Sequence, residues 1–163
     1  MVRDKDFFMR QALQQAAAAQ EIGEVPVGAV VVHDDRVVGR GHNAVIKSAD
    51  PTAHAEIVAL RRAGKRAKNY RLPDMEVYVT LEPCLMCYTA LVQARVKKLY
   101  FAADDGKTGV FSTGAFDGIQ HIFNHRVEVE PGILREESSR LLNDFFRVRR
   151  GAGAVERGGL ENR

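Results

Sequence analysis

The chain has 163 residues, enough for one domain with a proper core. Its 45% apolar and 28% charged residues are the proportions of an ordinary soluble globule, and no apolar run reaches the length of a membrane span, which excludes a helical integral membrane protein. A net charge of +3 and a sequence pI near 9.0 permit a polyanionic partner without requiring one, and two cysteines are too few for a disulfide framework.

The opening MVRDKDFFMR is charged and lacks the apolar core of a secretion signal, so a reducing, cytoplasmic setting with no membrane partner is expected. Asp4 is a helix cap, and the strong helix formers of KDFFMRQALQQAAAAQEI follow it up to Gly23. VGAVVV reads as a strand, Asp34 and Asp35 as a turn, and RVVGRGH as the returning strand. PTAHAEIVALRRAG predicts a second helix from about Pro51 to Gly64. EVYVTL is a third strand, PCLMCYTALVQA a third helix and KLYFAA a fourth strand. A glycine-bearing loop runs from Asp104 to about His125, long enough to suggest a function. RVEVE is a fifth strand and ILREESSRLLNDFFRVRR the last helix. A single domain over residues 1–150 is expected, with a disordered tail over 151–163, where GAGAVERGGLENR lacks apolar periodicity. Strands alternating with helices predict an α/β fold, one sheet covered by helices with an antiparallel hairpin at one side.

Cys84 and Cys87 admit three readings: a redox pair, half of a structural zinc site, or part of a catalytic one. Leu85 and Met86 between them are bulky and apolar, unlike a redox motif, and His121 and His125 lie too far along for a usual finger. HAE offers His54 as a third ligand and Glu56 as an acid–base group. Catalytic zinc takes three protein ligands and leaves one position open. Two thiolates and a neutral imidazole cancel the charge of Zn²⁺, so its water is acidified less than at an all-histidine site, and a nearby carboxylate is needed to take the proton. His-x-Glu followed by Pro-Cys-x-x-Cys, each at a helix start, favours the catalytic reading, with one Zn²⁺ per chain.

EVPVGAVVV, DPTAHAEIVALR, NYRL, VYVTLEPCLMC, KTGV, NHRVEVEPGIL and LLNDFFRVRR together resemble the bacterial tRNA adenosine deaminases, and run in that family's order over nearly the whole chain. The resemblance implies a cytidine-deaminase-like three-layer fold, a central mixed five-stranded sheet flanked by helices. It implies hydrolytic deamination of adenosine to inosine at the tRNA wobble position, by a homodimer that holds the anticodon stem–loop where the subunits meet. By motif position His54, Cys84 and Cys87 bind the metal and Glu56 shuttles protons. Asn43 and the backbone at Ala55 contact the target nucleoside, and Asp105, Lys107, Asn124 and Phe146 line the anticodon loop. The chain departs from the family pattern at Tyr88-Thr89, where Ala-Gly is usual, and in the middle of the 106–123 loop. The rivals are a deaminase of a free nucleobase, guanine or cytosine, and a zinc-stapled RNA-binding module without catalysis. The basic RVRR argues against the first and the intact Glu56 against the second.

Overall fold

The computed structural model describes residues 2–152. Five strands form one sheet: β1 (Gly28–His33), β2 (Arg36–His42), β3 (Glu76–Leu81), β4 (Lys98–Ala103) and β5 (Glu128–Pro131), in the order β2-β1-β3-β4-β5. β1 is antiparallel to β2 and β3, whereas β3, β4 and β5 run parallel. The expected mixed five-stranded sheet with its hairpin at one side is therefore present.

Strand alternation divides the core into two layers. Ala29, Val31, Val77, Val79, Leu99 and Phe101 point to the face covered by α2 (Ala55–Ala67) and α3 (Leu85–Gln93). Val30, Val32, Tyr78, Tyr100 and Ala102 point to the face covered by α1 (Lys5–Glu21). α5 (Arg135–Ala152) lies beside α1: Ser138 Oγ donates to Thr80 O, and an Arg149 guanidinium N–H donates to Gly23 O at 2.6 Å. Both faces of β1 and β4 are covered, so these strands carry near-continuous apolar runs.

α2 differs from its sequence expectation at both ends. Residues 51–54 are not helical, because the Asp50 carboxylate takes Thr52 N–H and Thr52 O–H at 2.9 and 2.7 Å and shapes a turn first. Helix begins at Ala55 with His54 as N-cap. It passes through Gly64 and ends at Lys68, which is left-handed at φ 55° and returns its N–H to the Gly64 and Lys65 carbonyls. A helical glycine costs only about 1 kcal/mol, too little to stop a helix whose flanking alanines pack inward. The expected 104–125 loop contains α4 (Ala115–Ile119) and a 3₁₀ turn, Gln120–Ile122. Gly151 and Ala152 continue α5, and the rest of the expected disordered tail lies outside the described residues.

Candidate active site

The topology gathers one end of the sheet. β1 starts where β2 ends, with Gly28 opposite His42, and β3 and β4 end there too, with Leu81 opposite Ala103. Asn43, Glu82 and Asp104 therefore leave the sheet at the same edge, the carboxyl end of its parallel strands, where open α/β sheets bind ligands. α2 and α3 begin beside each other at this edge and supply the chemistry.

α2 sits close on the sheet because the residues it lays over β2 are small, Ala55, Ala59 and Ala63, and the strand below offers Gly39 and Gly41. A Cβ on Gly41 would come within 2.5 Å of both Ala55 O and Ala59 N, so only glycine permits this approach. His54 and Cys84 are the N-caps of α2 and α3, both in extended conformation, and neither side chain caps its own helix. Both side chains turn inward instead. His54 Nδ1 lies 3.6 Å from Cys84 Sγ and 3.4 Å from Cys87 Sγ, and all three ligand atoms lie within 4.8 Å of one another. Tetrahedral zinc with ordinary Zn–N and Zn–S bonds sets a nitrogen–sulfur separation of about 3.6 Å. Both nitrogen–sulfur separations stand close to that spacing. Two cysteines at helix starts also favour the thiolate that metal binding needs.

Glu56 follows in the first turn of α2 and is fully buried. Residues i and i+2 do not share a helix face, but His54 stands outside the helix proper as its N-cap, while Glu56 lies in the first turn. Asn43 is 1% exposed, and its Oδ1 accepts the Ala55 N–H at 2.8 Å. Its buried Nδ2 has no hydrogen-bond partner among the described residues.

The remaining sequence candidates separate. The Ala55 N–H is already taken by Asn43. Asp105 builds its own loop, accepting Lys107 N–H, Thr108 N–H and Thr108 O–H. That loop is tied to the cysteine turn by the Val110 N–H to Pro83 O bond and a bridge between Cys84 and Gly109. Lys107 is exposed on it. Asn124 accepts from the Arg95 guanidinium at 2.7 Å, just past α3. Phe146 is half-buried on α5 with its ring 5.4 Å from that of buried Phe145. Of the basic RVRR, Arg147 pairs with Asp144 and Arg149 stacks on Phe145 while holding Gly23, so Arg149 fastens the fold.

Two buried carboxylates that fix the loops around the site escaped the sequence reading. Glu24 is 2% exposed and accepts Ile46 N–H and Lys47 N–H, fixing the loop between Asn43 and His54. Glu82 is fully buried and does the same for the 105–112 segment. The available signal was an acid directly flanking an apolar strand at each position: Glu24 before VPVGAVVV and Glu82 after VYVTL.

The family model of MafB19-like deaminases matches residues 3–150. Over 155 residues the chain is 46% identical to the tRNA-specific adenosine deaminase of Haemophilus influenzae, covering 94% of this chain and 90% of that one. The corresponding protein of Aquifex aeolicus is 42% identical over 151 residues, with coverages of 88% and 94%. A solved structure from studies of A-to-I editing by tRNA:A34 deaminases at the wobble position of transfer RNA matches at TM-score 0.81 and 41% identity, covering 85% of this chain and 100% of that one. The layered mixed sheet and the His-Cys-Cys group at two helix starts define a cytidine-deaminase-like deaminase. Within that class, the extent and level of identity place the chain further: it belongs to the tRNA-specific adenosine deaminase family.

Proposed function

We propose that this enzyme hydrolytically deaminates adenosine to inosine at the wobble position of a tRNA anticodon, with one zinc per chain held by His54, Cys84 and Cys87. The observation that carries the reading is the convergence of those three donors at zinc-like spacing with buried Glu56 two residues beyond His54. Zinc held there would supply a Lewis acid that activates water, with Glu56 as the base that its charge-cancelling thiolates make necessary. Glu56 takes a proton from the attacking water and delivers it to the purine N1, then carries the proton of the new C6 hydroxyl to the leaving amine as the carbonyl forms. A C6–O bond forms, the C6–N bond breaks, and ammonia departs. The Asn43 amide donates from Nδ2 to the nucleoside, while its oxygen is fixed by Ala55 N–H.

The anticodon loop runs past Asp105, Lys107, Asn124 and Phe146, with the homodimer junction completing its seat in a cytoplasmic enzyme. Among the described residues no helix is long and apolar enough to cross a membrane. A flipped base in a splayed hairpin loop suits such a site better than a duplex does. The test is inosine formation in an anticodon stem–loop, run beside ammonia release from free guanine, cytosine and adenine. Turnover is expected on the stem–loop, with little on the free bases. Faster release from guanine or cytosine than from the stem–loop would assign the enzyme to free bases. Binding of the stem–loop without any turnover would leave a zinc-stapled binding module.

A further inference from the structure

We infer that Glu82 is a positioning residue for substrate RNA: its buried carboxylate clamps the 105–112 segment against the turn that carries Cys84 and Cys87. Oε1 accepts Asp105 N–H at 2.9 Å and the Ser112 hydroxyl at 2.5 Å. Oε2 accepts Phe111 N–H and Ser112 N–H, each at 2.8 Å. Among the described residues Glu82 forms no salt bridge, so its charge is met by backbone and hydroxyl donors. Burying a carboxylate is costly unless such bonds satisfy it. All four contacting groups, on three residues, donate here, and only a carboxylate accepts at every point. A glutamine would keep one accepting oxygen and turn its NH₂ against an N–H.

The clamp leaves no slack. Gly109 lies against the carboxylate, and a Cβ there would stand 2.3 Å from Glu82 Cδ. The same segment is laced to the metal turn at Pro83 and Cys84. Glu82 thus sets how far Asp105 and Lys107 stand from the cysteine pair, although it touches neither substrate nor metal. The inference rests on the proposed function, which gives that loop to the anticodon. Loosening the clamp should therefore act on RNA affinity and leave the chemistry in place.

Two variants attack the contact from opposite sides, Glu82→Gln from the carboxylate and Gly109→Ala from the loop. For each single and the double variant, zinc content, amide hydrogen exchange over 105–112, and KM and kcat on the stem–loop are measured. Both singles should keep one zinc per chain and exchange faster in that segment. KM should rise about tenfold or more, with kcat changed far less. The double variant should be less than additive, because the Glu82–Gly109 contact is lost in both while the clash of the new Cβ with Asp105 O remains. If Glu82→Gln does not fold, Gly109→Ala carries the test. An unchanged KM with a lower Tm would make Glu82 a brace of the fold alone. Loss of zinc would place its effect on the metal turn, and failure of both variants to fold would make the clamp a folding requirement; each overturns the inference. Wild-type protein inert on the stem–loop would overturn the proposed function instead, while the exchange rates would still report on the clamp.

Discussion

Asn43 splits its amide between a protein partner and the proposed substrate. Its oxygen holds Ala55 N–H, one of the orphan donors at the start of α2, and that bond forces the NH₂ to the other side, buried and without a partner among the described residues. The bond to Ala55 N–H is structural, and the proposed contact to the nucleoside would use the other end of the same amide. Asn43→Ala should cost about 1–2 kcal/mol of stability, as the loss of a helix cap does, and also lower kcat/KM on the stem–loop. Asn43→Asp keeps an acceptor for Ala55 N–H but loses the donor. It should recover most of the Tm while kcat/KM stays low. Measured on the same preparations, an Asp variant with normal kcat/KM would remove the donor from the mechanism. The motif residues were legible one by one because each carries its chemistry in its type and spacing. Glu24 and Glu82 were not, because the amides they hold lie 22 to 30 residues away along the chain. A carboxylate looks the same in sequence whether it faces water or a ring of backbone N–H groups.

The site depends on how closely α2 approaches β2. Gly39 and Gly41 below, and Ala55, Ala59 and Ala63 above, allow backbone to lie on backbone. Gly41→Ala should therefore push α2 off the sheet, costing about 1–3 kcal/mol as overpacking does. It should also lower zinc affinity, because His54 moves with the helix while the cysteines stay on α3. Equilibrium zinc titration with a chelator checks this; unchanged affinity at reduced stability would mean the cap residue is positioned independently of its helix. Tyr88 belongs to the same scale. It is buried among Phe111, Phe116 and Phe123, with ring centroids 5.3, 5.6 and 5.9 Å away. Burial pushes its hydroxyl pKa upward. The two departures from the family pattern, at Tyr88 and in the 106–123 loop, are thus one packing unit. The strands were legible because buried parallel and central strands are continuous apolar runs. α4 was not: its five residues, AFDGI, follow a left-handed Gly114 and contain Gly118, which reads as loop until the aromatic cluster folds it.

Across the whole molecule, the order β2-β1-β3-β4-β5 brings three chain exits to one edge, and each exit delivers one part of the site. β2 leads to Asn43 and the loop before His54, β3 to Glu82 and the cysteines, β4 to Asp105 and Lys107. The sheet and its hairpin followed from sequence pattern, but the pairing of β1 with β3 depends on contacts between distant segments that no local pattern records. The central claim is that this edge holds a metal-assisted deaminase in which Glu56 moves the protons and is not itself a ligand. The most direct test is single-turnover inosine formation in an anticodon stem–loop by zinc-loaded wild type and Glu56→Ala, with zinc quantified in the same samples. Equal zinc with a rate reduced by roughly 10²–10⁴-fold is the predicted result. A variant that has lost its zinc, or one that keeps both zinc and the wild-type rate, would contradict it.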